Sequence, residues 1–375
     1  MFNFGKHHAL FSLLLCSLLL LNACQTVEKA APSLSKDIAW SELPGWNDDN
    51  HAEAWPALLK GCRKLNSKDQ WTSICADAAA LENINDNQVK LFIEQHFTPQ
   101  QLIAEDGSEQ GLITGYYEPL LQGSYQATDR YRYPLYGSPK ELLTVDLSSL
   151  YPDLKGKRVR ARVEGNKVVP FYSRSEIESD AAPLEGNELL WVDDRDALFF
   201  LQIQGSGRVQ LPDGHVIGAG YANQNGHPYV SIGKLLIQRE ALKREDVTLF
   251  SIKNWLKDNP AEAQALLNDN PSYVFFTLRE DVNEGPTGSL NVPITAERSL
   301  AIDPKVVPLG TAMWIVTSFP DEQATPLKRL VFAQDTGGAI KGRLRADMFW
   351  GTGELAEQRA GNMKQKGELY VLRIR

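Results

Sequence analysis

From about Leu112 onward the chain runs in short stretches of β-branched and aromatic residues cut by Gly and Pro. Examples are Leu112-Ile-Thr-Gly-Tyr-Tyr, Tyr131-Arg-Tyr-Pro-Leu-Tyr, Arg158-Val-Arg-Ala-Arg-Val and Lys167-Val-Val-Pro-Phe. Runs this short cannot make long helices, and their punctuation predicts a barrel-like or sandwich-like β region. Before it, Asn50 to Leu65, Trp71 to Leu81 and Asn87 to Phe97 carry apolar residues at helical spacing, for example Val89, Phe92, Ile93 and Phe97. Helices return near residue 230, at Ser231 to Ala241 and Val247 to Lys257. A third starts at Asn259-Pro260-Ala261-Glu262, read as N-cap, first-turn proline and capping-box acid. Strand texture then resumes at Tyr273-Val-Phe-Phe-Thr-Leu, Ala312-Met-Trp-Ile-Val, Leu330-Val-Phe-Ala and Leu369-Tyr-Val-Leu-Arg-Ile. The expected class is mainly β with accessory helices. At 375 residues there is material for two or three domains.

The N-terminus reads as an export signal. Lys6, His7 and His8 precede an apolar run, Ala9 to Leu21, which is too short to span a bilayer and suits a signal-peptide core. It ends in Leu21-Asn22-Ala23-Cys24, which resembles a bacterial lipobox and predicts acylation of Cys24; the alternative is an ordinary cleavage site beside an accidental cysteine. Gln25 rather than Asp follows the cysteine, and in proteobacterial lipoproteins that implies attachment to the outer membrane, facing the periplasm. Residues from Gln25 to about 37 are polar and Ala/Pro-rich, a tether of about 20 Å root-mean-square reach.

Export sets the cysteine chemistry. With Cys16 removed and Cys24 acylated, Cys62 and Cys75 remain in an oxidising compartment, and a disulfide between them is expected; the alternative is two buried thiols. The 39 basic residues are outnumbered by 47 acidic ones, so no global cationic field draws nucleic acid. The chain has no G-x-S-x-G, H-E-x-x-H or Walker loop, and His51, His96, His215 and His227 show no ligand clustering, so neither a metal nor a cofactor is expected. Gly351-Thr-Gly353-Glu-Leu-Ala356 imitates a dinucleotide fingerprint without room for the following βαβ unit. Asp335-Thr336-Gly337 imitates an aspartic-peptidase signature, yet only one copy exists where a single-chain enzyme needs two.

The informative region reads Ala301-Ile-Asp303-Pro-Lys-Val-Val-Pro308-Leu-Gly310, then Ala333-Gln-Asp335-Thr-Gly-Gly-Ala-Ile-Lys341-Gly342, then Arg345-Ala-Asp347-Met-Phe-Trp350-Gly351. It resembles the three-aspartate module on a double-psi β-barrel of the membrane-bound lytic murein transglycosylase A family. Gly115-Tyr-Tyr-Glu-Pro119, Leu201-Gln-Ile-Gln-Gly-Ser-Gly207, Tyr221 to Lys234 and Asn270-Pro-Ser-Tyr-Val-Phe-Phe276 resemble that family's other signatures, in order. The resemblance implies a discontinuous double-psi barrel domain with an inserted smaller β-barrel domain, and a glycan groove between them. Along the chain this gives a signal peptide at 1–23, a tether at 24–37, barrel parts at 38–119 and 273–375 and the insert at 120–272, with the three-aspartate module at about 298–351.

It also implies a lyase that breaks the β-1,4 bond between N-acetylmuramic acid and N-acetylglucosamine in peptidoglycan and leaves a 1,6-anhydromuramic end. Asp347 would be the catalytic acid and base and Asp335 its support, while Asp303, before Pro304 in a loop, fits a structural turn. Apolar neighbours Met348, Phe349 and Trp350 would favour a neutral Asp347. A glycan groove needs amides, hydroxyls and aromatic faces. Gln204, Ser206, Gly207, Tyr221, Asn223, Tyr229 and Lys234 fit the polar part, with Tyr116, Tyr117 and Trp350 as stacking faces and Glu118 as a further contact. Two other readings are a catalytically silent peptidoglycan-binding lipoprotein and, more remotely, an aspartic peptidase.

Overall fold

A computed structural model describes residues 35–375 except 83, 158 and 321–324; the signal segment, Cys24 and the first part of the tether lie outside the described residues. Six strands close on themselves. Gly111–Glu118, Lys364–Ile374, Ala312–Ser318, Pro326–Asp335, Ser299–Ile302 and Arg345–Thr352 follow one another around the ring, and Arg345–Thr352 pairs back onto Gly111–Glu118. Two of the pairings are parallel, Ser299–Ile302 with Pro326–Asp335 and Arg345–Thr352 with Gly111–Glu118; the others are antiparallel. Closure removes the free edges, so each strand needs only one apolar face for the interior. Ile113, Tyr117, Leu300, Ile302, Met313, Ile315, Val331, Ala333, Ala346, Met348 and Trp350 supply it.

The helices precede the barrel and pack on its outside. Trp55–Leu65, Asp69–Ala80 and Asp86–His96 bury Trp55, Leu58, Trp71, Ile74, Val89, Phe92 and Ile93 against Trp314, Leu330, Phe332, Tyr370 and Leu372. Each large side chain so buried contributes about 1.5–3 kcal/mol. Arg298 anchors this layer: its guanidinium donates to both oxygens of Asp49 at 2.6 and 2.9 Å, and Asp49 also accepts the Leu330 backbone N–H. A disulfide joins Cys62 on the first helix to Cys75 on the second, with the Cα atoms 5.5 Å apart.

After Glu118 the chain passes into a second sheet. Val274–Arg279, Val216–Gln224, Gly207–Gln210, Leu120–Ser124, Glu188–Val192 and Tyr133–Tyr136 lie in that order, and a bridge from Gly137 to Phe276 brings the two ends together. Its interior holds Leu121, Leu135, Leu190, Val192, Leu201, Val209 and Ile217. The fold is therefore mainly β with accessory helices, a double-psi barrel built from two separated stretches of chain and a smaller barrel formed by the stretch between.

Several local expectations need correction. The β texture between residues 112 and 230 hides a helix, Arg195–Gln204, whose start is set by Asp194 accepting the N–H groups of Asp196 and Ala197. Its Phe199 and Phe200 pack with the helices Ile232–Gln238, Leu249–Asp258 and Pro260–Asn268, a contact that local alternation does not signal. Asn259 does precede Pro260, but its side chain turns back and donates to the Trp255 carbonyl, so it closes one helix rather than capping the next. The dinucleotide-like stretch is a turn into the helix Glu354–Asn362, beside the barrel.

Candidate active site

Strand alternation divides Arg345–Thr352 cleanly. Ala346, Met348 and Trp350 point into the barrel, so Arg345, Asp347 and Phe349 share the outer face. The neighbouring strand does the same, with Ile113 and Tyr117 inside and Thr114 and Tyr116 outside, and in register Thr114 stands opposite Asp347. Thr114 Oγ1 donates to Asp347 Oδ1 at 2.5 Å and accepts from Arg345 Nη2 at 2.8 Å. Arg345 thus reaches the carboxylate through Thr114.

On the opposite flank, Ala301 pairs with Asp347 on one side and with Asp335 on the other. Asp335 reaches that face because of a bulge. Val331 and Ala333 point inward, and two-residue alternation would turn Asp335 inward too, but the register skips Gln334, which hydrogen-bonds Ser299 and the Ala57 carbonyl instead. An extra residue re-aims the next side chain. The two aspartates therefore stand one strand apart on one face, at a site also lined by Tyr116, Ile294, Ala301, Ile340 and Phe349.

Their environments differ. Asp335 is nearly saturated with donors: Ser289 N and Oγ, both at 3.0 Å, and Thr336 N at 2.8 Å reach Oδ1, while Tyr116 OH reaches Oδ2 at 2.9 Å. Ser289 arrives on the loop before Ser299–Ile302, where Gly288 lies so close that a Cβ would meet the Gln334 carbonyl at 2.6 Å. Burial pushes the Asp335 carboxyl above its ordinary range, against the pull of these donors. Asp347 is also pushed up by burial, and the Asp335 charge adds to this, while the Thr114 hydrogen bond and the Arg345 charge oppose it. Tyr116 is pushed far above the ordinary phenol range by burial and by Asp335, so its hydroxyl keeps its proton and donates it to Asp335. Of the apolar neighbours expected to desolvate Asp347, Phe349 shares its face, but Met348 and Trp350 lie inside the barrel, because adjacent residues of a strand face opposite ways.

The structure separates the remaining expected site residues into several groups. Tyr116 belongs to the aspartate cluster, its ring against Phe349 and its hydroxyl on Asp335. Tyr117 and Trp350 are barrel core rather than sugar platforms: Tyr117 OH donates to Glu357 Oε1 at 3.0 Å, and Trp350 is 4% exposed with its indole N–H on Met363 and its ring under Arg359. Glu118 is buried where the chain leaves the barrel, paired with Arg208 at 3.3 Å and Arg279 at 2.6 Å of the second sheet, so it tethers strands rather than facing a ligand. Gln204 accepts the Tyr117 backbone N–H at 3.0 Å. Ser206 is buried, and Gly207 is where a Cβ would meet Leu201 at 2.4 Å and the Pro119 carbonyl at 2.9 Å, a packing reason for glycine. Tyr221 and Asn223 flank a bulge on Val216–Gln224, Tyr221 exposed and Asn223 accepting Arg160 Nε at 3.0 Å. Tyr229 is exposed in the following loop, and Lys234 is exposed in the first turn of Ile232–Gln238.

Three residues at the site escape a sequence reading. Thr114 lies 233 positions from Asp347, Arg345 lies 231 from Thr114 and Ser289 lies 46 from Asp335, and only the tertiary fold brings them together. The signal available in the sequence is the polar member of an alternating pair, Thr114 between Ile113 and Gly115. Asp303 holds a turn, accepting the N–H groups of Lys305 at 3.1 Å and Gly342 at 2.9 Å.

Comparison with known proteins gives a consistent result. Residues 112–277 match the family described as the MltA specific insert domain, and residues 298–373 match the 3D domain. The "Membrane-bound lytic murein transglycosylase A" of Vibrio cholerae is 32% identical over 274 residues, which is 71% of this chain and 67% of that protein. The crystal structure of MltA from Neisseria gonorrhoeae is 35% identical with a TM-score of 0.79, covering 91% of this chain and 92% of that one. The crystal structure of E. coli MltA with bound chitohexaose is 27% identical with a TM-score of 0.66, covering 88% and 90%.

Proposed function

Because this chain belongs to the membrane-bound lytic murein transglycosylase A family, we propose that it is a peptidoglycan lytic transglycosylase working with a single catalytic carboxyl, Asp347. It breaks the β-1,4 bond from N-acetylmuramic acid to N-acetylglucosamine and joins C1 to the O6 of the same muramyl residue. A glycosidase of the usual kind uses two carboxyl groups, one as acid and one as nucleophile or base for water. Here the substrate's own hydroxyl attacks, and intramolecularity supplies its positioning. Asp347 protonates the leaving oxygen, and as carboxylate it then takes the O6 proton, so no water is consumed.

The observation that carries this reading is the asymmetry of the two aspartates. Asp335 has three donors on one oxygen and Tyr116 on the other, which leaves it poorly placed to move a proton, whereas Asp347 keeps one oxygen without a hydrogen bond from the described residues. Burial and the neighbouring Asp335 charge favour a neutral Asp347 before the first step. A peptidase dyad sharing one proton would need its carboxyls in contact, and here the Ser299–Ile302 strand separates them.

The substrate is the glycan strand of peptidoglycan, which the chitohexaose complex of the E. coli relative supports, since chitohexaose is likewise a β-1,4-linked N-acetylhexosamine chain. The groove for it runs between the double-psi barrel domain and the inserted domain, whose sheet takes in the strand Val274–Arg279, with Tyr221, Asn223, Tyr229 and Lys234 on the insert side. The protein works at the outer membrane, facing the periplasm, on a lipid anchor at Cys24. The test uses purified murein sacculi with Asp347→Asn and Asp347→Ala variants. Both are expected to melt normally and bind sacculi while releasing no anhydro-muropeptide. Substantial release by a well-folded Asp347→Ala protein moves the catalytic role elsewhere.

A further inference from the structure

We propose that Thr114 and Arg345 are positioning residues that hold Asp347 Oδ1 as an acceptor and place the reactive proton on Oδ2; the inference rests on Asp347 being the acid and base. Arg345 Nη1 contacts the carbonyls of Leu112 at 3.4 Å and of its own neighbour Ala346, which ties the guanidinium to both strands it spans. Its Nη2 donates to Thr114 Oγ1 at 2.8 Å. A guanidinium carries no acceptor, so the threonine hydroxyl must accept on that side, and its single proton is free to go elsewhere. Among the described residues the acceptor offered to it is Asp347 Oδ1, 2.5 Å away. The chain of donors has one direction, Arg345 to Thr114 to Asp347.

In a carboxylic acid the carbonyl oxygen is a better acceptor than the hydroxyl oxygen. A standing hydrogen bond into Oδ1 therefore makes Oδ1 the carbonyl and puts the acid proton on Oδ2, which takes no hydrogen bond from the described residues. The same oxygen then serves both halves of the reaction. In the first, the glycosidic C1–O bond opens with its electron pair staying on the departing oxygen, which takes the proton from Oδ2, and the O–H pair stays on the carboxylate. In the second, O6 bonds to C1 and gives its proton back to Oδ2. Neither half requires the Arg345–Thr114 relay to rearrange.

The experiment compares the full chain in detergent with Thr114→Val, which keeps the β-branched shape, and Thr114→Ser, which keeps the hydroxyl. It measures release of soluble muropeptides from purified sacculi across a pH series, sacculus binding by sedimentation and the thermal midpoint. Thr114→Val is expected to bind and melt as the parent does but to turn over roughly ten- to a hundredfold more slowly, the loss for a hydrogen bond to a charged group. Its alkaline limb in kcat/KM should move to higher pH, because a donor favouring the carboxylate form has been removed. The other groups that bear on Asp347 stay in place: Arg345 on its own strand, Tyr116 on the next, and Asp335 beyond Ala301. Thr114→Ser should restore both rate and limb. A Thr114→Val protein within twofold of the parent with an unmoved limb overturns the relay, as does an equal loss in the Val and Ser proteins, which indicates packing alone. Full activity in Asp347→Asn, run alongside, overturns the underlying assignment and the relay with it.

Discussion

Asp335→Asn isolates the charge of the second aspartate. The amide oxygen can still accept from Ser289 and Thr336 and the amide group still meets Tyr116, so the loop and strand keep their contacts while one negative charge disappears. Asp335 and Asp347 pair with the two sides of Ala301, which puts their Cα atoms two inter-strand spacings apart, about 9.6 Å. At about 9 Å and an effective dielectric constant of about 20 to 40, two unit charges repel by roughly 1–2 kcal/mol. The like charge raises Asp347, so its removal lowers that pKa and the acid form is lost at lower pH. The alkaline limb of kcat/KM for muropeptide release is therefore expected to move to lower pH, with turnover lost on that limb and little change well below it. Thermal melts check that the fold is kept. A limb that stays put while activity is lost would refute the electrostatic argument and leave Asp335 a scaffold; an upward shift would refute its sign.

Trp350→Ala should behave as a core deletion, losing about 3–5 kcal/mol and with it melting temperature, because the ring fills the barrel interior and stacks on Arg359; a sugar platform would instead lose glycan binding at an unchanged melt. Cys62→Ser with Cys75→Ser opens a loop of 13-residue separation, for which chain entropy predicts a loss of about 3 kcal/mol and roughly 4 °C in the melt; thiol titration of the denatured, unreduced parent should find none at these two positions. Cys24→Ala should move the protein from the membrane to the soluble fraction with its activity on sacculi retained, and a variant still sedimenting with outer membrane would contradict the anchor.

Much of this protein is legible in its residues because the physics involved is local. Apolar spacing marks the three early helices, and Gly/Pro punctuation marks the strands. Reading the chain as exported leads to the expectation of a Cys62–Cys75 bridge, which the structure contains. The motifs around Asp335 and Asp347 single out both aspartates as candidates. What residue order does not determine is which side chains meet. The helix Arg195–Gln204 forms because its aromatic face finds three later helices, a tertiary contact that overrides its β-like surroundings. Trp350 and Tyr117 look like binding aromatics until strand parity in a closed barrel turns them inward. Asp335 would by alternation point inward as well, and a bulge at Gln334 brings it out beside Asp347. Thr114 joins the site only through the parallel pairing of two strands more than 200 residues apart, since register is set by how the barrel closes and by which faces it buries.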